Sequence, residues 1–179
     1  MKRTILVFYV LVLTLVSGCG YTTGSLLPSH LKTIYVDSFA NKIDMSTEPS
    51  DRYNYEMYRS GMESDVTKTV IDRFIFDGNL SIVGLEEADL VLTGELISYT
   101  KEPLRYDASD NVEEYRALIS VNIKLKDTGT GKFMWEENGF TGESTYWITG
   151  PLAKSEDSAV QAAIQDLAER IVEKTTEGW

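Results

Sequence analysis

The chain has 179 residues, one cysteine, one histidine and a formal net charge of −11 at neutral pH. That length suits a single domain, and a strongly acidic chain lacks the basic surface that nucleic-acid binding requires. Because one cysteine cannot form a disulfide within the chain, packing alone must hold the core together.

The first 19 residues combine a basic start, an apolar run and a cysteine. Lys2 and Arg3 precede the apolar run Thr4 to Val16, and Ser17-Gly18 leads directly into Cys19. This layout is typical of a secretory signal peptide, and a cysteine after the small residues resembles a bacterial lipobox. We therefore predict cleavage before Cys19 and its acylation. A transmembrane anchor or an uncleaved signal is the alternative, although a bilayer span needs about 20 apolar residues.

Signal removal would change both the length and the charge of the chain. Without residues 1–18, 161 of the 179 residues remain, and the loss of two basic residues leaves 15 against 28 acidic ones, a net charge of −13. Residues 19–30 read as a short lipidated tether and residues 31–179 as one domain. Gly20, rather than Asp, follows the cysteine, which resembles sorting to the outer membrane, with the domain facing the periplasm.

The first half of the mature chain predicts a strand and a helix. Alternating apolar residues predict a strand from Leu31 to Phe39. Apolar residues then recur at three- and four-residue steps from Tyr55 to Phe74, which predicts an amphipathic helix. Ser50 and Asp51 are its candidate N-caps, and Gly61 is expected to weaken it.

The second half predicts four strands and a final helix. We expect strands at 80–83, 90–97 and 115–126, a loop at 100–113, and a hairpin turn at 127–131 leading into a strand from Phe133 to Phe140. A glycine-rich loop would follow, and an amphipathic helix would start near Ser155. These elements predict a two-layer α/β sandwich, with a mostly antiparallel or mixed sheet of four to five strands and two helices on one face.

The sequence offers no arrangement suited to catalysis. Its only histidine, His30, lies in the tether, so we expect no Ser/His/Asp or Cys/His site. A zinc site needs nitrogen or sulfur ligands that the domain lacks, and the acidic loop 107–114 does not have calcium-loop spacing. Residues 129–132 lack the pattern of a phosphate loop and read as a turn. We therefore predict no enzyme activity, cofactor or metal.

Two surfaces are candidates for binding. Arg116, Lys124 and Lys126 share the polar side of the 115–126 strand and could form a basic strip for an anionic ligand or partner. The alternative is an ordinary solvated sheet face. Tyr146 and Trp147, in the predicted glycine-rich loop, are candidate interface anchors.

Short motifs spread over the mature chain resemble one known family. They are Cys19-Gly20-Tyr21, Ile34-Tyr35-Val36, the segment Ala88-Asp89-Leu90-Val91-Leu92-Thr93-Gly94, which matches an A-D-x-x-L-x-G strand, and the Lys132 to Glu136 hairpin return. In order and spacing they resemble the LptE-type lipopolysaccharide-assembly lipoproteins.

The resemblance implies a structural role. Members of that family assist the assembly of an LptD-type outer-membrane β-barrel, plug its interior, and help deliver lipopolysaccharide to the outer leaflet; some bind lipopolysaccharide through basic residues. A rival reading is a periplasmic lipoprotein that activates a peptidoglycan synthase or serves a secretion apparatus. The short tether favours a partner in the same membrane.

Overall fold

A computed structural model describes residues 27–43, 55–56 and 59–177 of the chain. These residues contain two α-helices, α1 (Met62–Asp77) and α2 (Glu156–Glu177), and one 3-10 turn at Leu85–Glu87. The seven strands are β1 (Thr33–Val36), β2 (Ala40–Asn41), β3 (Tyr55–Glu56), β4 (Ser81–Ile82), β5 (Leu90–Tyr106), β6 (Val112–Asp127) and β7 (Phe133–Trp147).

The strands form one mixed sheet with both helices on one face. The main strand order is β4-β1-β5-β6-β7, and β2 and β3 pair with the remaining edge of β5. The contacts β5–β6 and β6–β7 are antiparallel, whereas β1 is parallel to both β4 and β5. The predicted two-layer α/β sandwich is confirmed, and β2 and β3, of two residues each, are the strands that the sequence did not reveal.

Alternation and helical periodicity account for the core. On β6, Ala117, Ile119, Val121, Ile123 and Leu125 are fully buried. The seven residues predicted for the stripe of α2 are also buried, and α1 contributes four residues spaced three or four apart. Those on α2 are Val160, Ala163, Ile164, Leu167, Ala168, Ile171 and Val172; those on α1 are Met62, Val66, Val70 and Phe74.

The two helices run parallel to each other. Arg59, just before α1, forms an ion pair with Asp157 in the first turn of α2. Further along both helices, Arg73 binds Glu169 at 2.6 Å. The helix layer therefore covers the sheet from β1 to β7, while no described element covers the opposite face.

The prediction of a helix from Tyr55 onward is wrong. Residues 55–56 form β3, which pairs antiparallel with Lys101 and Thr100 of β5. Helix α1 begins only at Met62, after Gly61, whose φ of 89° is left-handed. Because glycine adopts this conformation without strain, Gly61 precedes the helix and does not weaken its interior. The predicted N-caps Ser50 and Asp51 lie outside the described residues.

The predicted loop at 100–113 is mostly strand. β5 continues through Tyr106 and β6 starts at Val112, so the connection is only five residues long. Pro103 is tolerated because it lies at a register shift between β5 and β6. Proline is acceptable at bulges and on edge strands, where no ladder hydrogen bond is lost.

The predicted end of β7 at Phe140 is also wrong. The strand continues to Trp147, with a register shift between Val121 and Ile123 on the partner strand and a left-handed Gly139 (φ 66°) beside it. A glycine inside a strand often marks a bulge rather than a loop. Tyr146 and Trp147 therefore lie on a paired strand.

Candidate functional site

The two layers leave one face of the sheet without a covering element among the described residues. On β6 the odd-numbered side chains from 117 to 125 are buried, so the even-numbered ones point away from the helices. Partners in register on β5 and β7 share that side. We define the uncovered face by side chains on three strands: Thr93, Glu95, Ser98, Thr100, Glu102 and Arg105; Glu114, Arg116, Leu118, Ser120, Asn122, Lys124 and Lys126; and Phe133, Glu136, Thr141, Glu143, Thr145 and Trp147.

Arg116 lies on this face but is already paired. Its guanidinium contacts Glu102 at 2.8 Å and Glu143 at 3.5 Å, on the strands to either side. The hydrogen bond to Glu102 is the main reason that the pKa of Arg116 lies above its ordinary value. Arg116 therefore joins β5, β6 and β7 by charge across the sheet.

The two lysines lie near the opposite end of β6. Lys124 is 3.5 Å from a carboxylate oxygen of Glu136 and 5.7 Å from the centre of the Phe133 ring. Lys126 is exposed, lies between Val91 and Phe133 in register, and pairs with no carboxylate in the part of the chain that the structure describes.

The predicted basic strip thus shares a face but does not converge on one point. Arg116 and Lys124 are eight residues apart along β6, which corresponds to about 26 Å. Two of the three cations are neutralised by acids on neighbouring strands. As a direct contact for an anionic ligand, Lys126 is the residue that keeps its full charge available.

A cleft of about 320 Å³ adjoins Lys124 on the same face. The cleft lies between β1 and β2, where the chain leaves β5 after β1 and pairs with β5 again at β2. Carboxylate, hydroxyl and amide groups line it, so it can exchange hydrogen bonds with polar ligands; its lining includes Asp37, Ser38, Thr93, Glu95 and Asn122.

The structure separates the two predicted aromatic anchors. Tyr146 is only 2% exposed and stacks on Tyr115 at 5.9 Å between ring centres. The prediction that Tyr146 is an interface anchor in a loop is therefore wrong, because Tyr146 packs in the core beneath the helix layer. Trp147 is half-buried on the uncovered face, with the Arg105 guanidinium 5.4 Å from its ring.

A polar cluster beside Tyr146 was not found in the sequence. Glu156, the first residue of α2, accepts hydrogen bonds from the Tyr99 hydroxyl at 2.9 Å and the Lys101 ammonium at 2.7 Å. Lys101 also lies 4.3 Å from the Tyr115 ring centre. A register shift between Leu96 and Ser98 changes the phase of β5 and places Tyr99 in the core; no local pattern announces such a shift.

Ionisation within this cluster follows from its contacts. Burial opposes the charge of Glu156, but the hydrogen bonds from Lys101 and Tyr99 outweigh it, so the pKa of Glu156 lies below its ordinary 4.5. Burial also opposes the charge of Lys101, yet Glu156 holds the pKa of Lys101 above 10.5. Burial, followed by the bond to Glu156, raises the pKa of Tyr99. The cluster is an ion pair that fastens α2 to the sheet.

The described residues contain neither a cluster of metal-ligating side chains nor a helix that could span a membrane. Across residues 27–43, 55–56 and 59–177, no three His, Cys, Asp or Glu side chains are grouped so that they could hold a metal ion. Among the helices described, none has the length and apolar character needed to cross a bilayer.

One solved structure shares the fold at low sequence identity, and others are similar at lower TM-scores. The protein CT253 from Chlamydia trachomatis matches with a TM-score of 0.52 and 12% identity, over 81% of this chain and 95% of that one. A PelC dodecamer subunit from Paraburkholderia phytofirmans gives 0.48 and 14%, over 86% and 96%. The rare lipoprotein B from Shewanella oneidensis gives 0.42 and 19%, over 79% and 92%.

The family comparison is more specific. No curated protein matches this chain significantly. The family model described as LptE, lipopolysaccharide-assembly, matches residues 31–175, which covers the whole of α1 and of the three long strands, and α2 up to its last two residues. The chain therefore belongs to the LptE family of lipopolysaccharide-assembly proteins.

Proposed function

We propose that this chain is an outer-membrane lipoprotein that assists the assembly of an LptD-type β-barrel and plugs it for lipopolysaccharide insertion into the outer leaflet. The observation that carries the proposal is the family match over residues 31–175. The Ser17-Gly18-Cys19 pattern supports a lipid anchor at Cys19.

Contacts at the start of the domain support a short reach from the membrane. Leu27 packs against the core, and the Asp89 carboxylate accepts the backbone N–H groups of Lys32 and Thr33 at 2.8 and 3.0 Å. If Cys19 is acylated, only about eight residues separate the lipid from the packed domain, and a chain of that length spans at most about 28 Å. A partner in the same membrane satisfies this geometry.

Affinity purification from detergent-solubilised outer membranes tests the proposal. We expect a large β-barrel protein to be recovered in stoichiometric amount and identified by mass spectrometry. A Cys19→Ser variant is the matched control for anchoring, and we expect it to leave the membrane fraction. Recovery of a peptidoglycan synthase or a secretion component, without a barrel, would contradict the proposal.

Lipopolysaccharide is the candidate ligand of the same protein. Lys126 carries an unpaired positive charge on the uncovered face, which suits a phosphate group. The net charge of −13 that would remain after cleavage before Cys19, from 15 basic and 28 acidic residues, opposes the approach of an anionic glycolipid, so contact would have to be local.

A further inference from the structure

We infer that the uncovered face is the surface that lies against the inner wall of the barrel, with the helix layer turned away from it. The inference rests on the proposed function, since it assigns a surface to the partner named there. The partner chemistry is a polar wall, because the interior of a transmembrane barrel is lined by polar side chains.

The dimensions of the face suit a specific interface. β6 has 16 residues, and at about 3.3 Å per residue the face is about 50 Å long; three strands add about 14 Å of width. The resulting area is roughly 700 Å², close to the roughly 800 Å² per partner that a stable protein–protein interface buries.

The distribution of charge favours this face over the helices. Helices α1 and α2 carry ten carboxylates against four cations, a net charge of −6. On the uncovered face, three of the cations are paired across strands: Arg105 with Glu114, Arg116 with Glu102, and Lys124 with Glu136. A face whose charges are mostly paired can lose water against a polar wall at a lower cost than a helix layer with a large excess of acids.

The middle of the face is polar but carries no charge. Ser98 and Thr141 are the register partners of Ser120 on β5 and β7, and all three are half-buried. Hydroxyl groups both donate and accept hydrogen bonds, so this central band can pair with either kind of polar group on a facing wall.

Side chains of α2 block the outer edge of β7, where a strand of the partner could otherwise pair with the sheet. On the outer side of β7, the N–H of Glu143 donates to the Asp166 carboxylate at 2.9 Å, and Arg170 donates to the carbonyl oxygen of Thr141. Side chains of α2 therefore occupy the backbone groups that an added strand would need. Along the middle of β7 the partner must meet the face of the sheet.

Photo-crosslinking in intact cells tests the inference. A photoreactive residue at Ser120 or Thr100 samples the uncovered face, and one at Gln161 or Gln165 samples exposed positions on α2. We expect a barrel-sized adduct from the first pair and none from the second. Equal yields from both pairs, or adducts from α2 alone, would overturn the inference.

Affinity purification of the barrel distinguishes failure of the proposed contact face from failure of the proposed function. If the barrel co-purifies but Ser120 and Thr100 give no adduct, the assignment of this face is wrong while the proposed function stands. If no barrel is recovered and no position crosslinks, both are wrong.

Matched charge variants give an independent readout. Ser120→Glu and Gln165→Glu each add one negative charge, the first on the uncovered face and the second on α2. We expect Ser120→Glu to reduce co-purified barrel by about tenfold or more, because an unpaired charge would be buried at the interface, and Gln165→Glu to leave it unchanged. Equal recovery with the two variants, both confirmed as folded by thermal melting, would overturn the inference.

Discussion

Asp89 and Gly94 belong to the A-D-x-x-L-x-G segment, and each makes a contact that positions the chain near β1. The Asp89 carboxylate accepts two backbone N–H groups at the entry of β1, with the Lys32 bond as the main reason that the pKa of Asp89 is lowered. A Cβ at Gly94 would overlap the ring of Phe39, which is 3% exposed. The motif thus fixes where the chain enters the domain and how β1 and β5 meet.

A Gly94→Ala substitution should destabilise the protein by about 1–3 kcal/mol, because Phe39 must shift within a packed core. Urea denaturation would measure the change in free energy of unfolding. Gly84→Ala is the control: its φ is −70° and nothing lies within 4 Å of the added Cβ, so we expect unchanged or slightly raised stability. Equal loss in both variants would contradict the role given to Phe39.

At the scale of elements, one ion pair connects the start of α2 to the middle of β5. Glu156 and Lys101 are 55 residues apart in sequence and 2.7 Å apart in space, with side chains 27% and 22% exposed. Gly142 supports the same layer contact further along, because a Cβ there would overlap Leu167 and the Ala163 carbonyl. Helix α2 is therefore held by a polar contact at its start and by close backbone approach at its middle.

Glu156→Gln should lower the free energy of unfolding at pH 7 by about 1–3 kcal/mol, since Lys101 would lose its charged partner. The pKa of Glu156 is lowered in the folded state, so its contribution is full above the ordinary value of 4.5 and is lost as the pH falls through the folded value. Denaturant unfolding between pH 3 and 7 should show the difference from the wild type shrinking below about pH 4.5.

The control for this pH dependence is Asp157→Asn, the next residue of the same helix turn. Asp157 is 77% exposed, so Asp157→Asn should lower the free energy of unfolding by less than Glu156→Gln does. Both variants remove one negative charge from the first turn of α2, so their effects on the helix dipole are similar. A difference between wild type and Glu156→Gln that stays constant over the whole pH range would contradict the assigned ion pair.

At the scale of the whole molecule, charge divides the protein into two unlike surfaces. The helix layer is strongly acidic, whereas cations and acids alternate on the uncovered face and largely neutralise one another. Lys126, near the end of β6, is the exception, because it forms no ion pair among the described residues. This asymmetry is the charge difference on which the proposed contact face rests.

Reversing the charge of both Lys124 and Lys126 to Glu should weaken contact with the barrel or with lipopolysaccharide without unfolding the domain, since both side chains are exposed. Labelling of surface lipopolysaccharide and thermal melting would measure the two effects. The control is Lys68→Glu with Lys154→Glu, two exposed lysines outside the uncovered face. Normal surface lipopolysaccharide in the Lys124 and Lys126 variant would contradict the basic-strip hypothesis.

Much of the fold was predictable because its periodic elements carry their own signal. The alternation of β6 and the stripe of α2 follow from the repeat of about two residues in a strand and about 3.6 in a helix, and both predictions are confirmed. The candidate site was only partly predictable. Arg116, Lys124 and Lys126 do share one face, but their acidic partners lie on other strands.

By itself, the sequence determined the fold class and the membership of both helices and the central strand in the core, because each depends on neighbours along the chain. Lipid attachment at Cys19 stays a prediction. The tertiary structure decided that β5 and β7 continue past Pro103 and Gly139, that Tyr146 is buried, and that Glu102 and Glu143 neutralise Arg116. These outcomes depend on strand register and on contacts between residues far apart in sequence, which local periodicity does not encode.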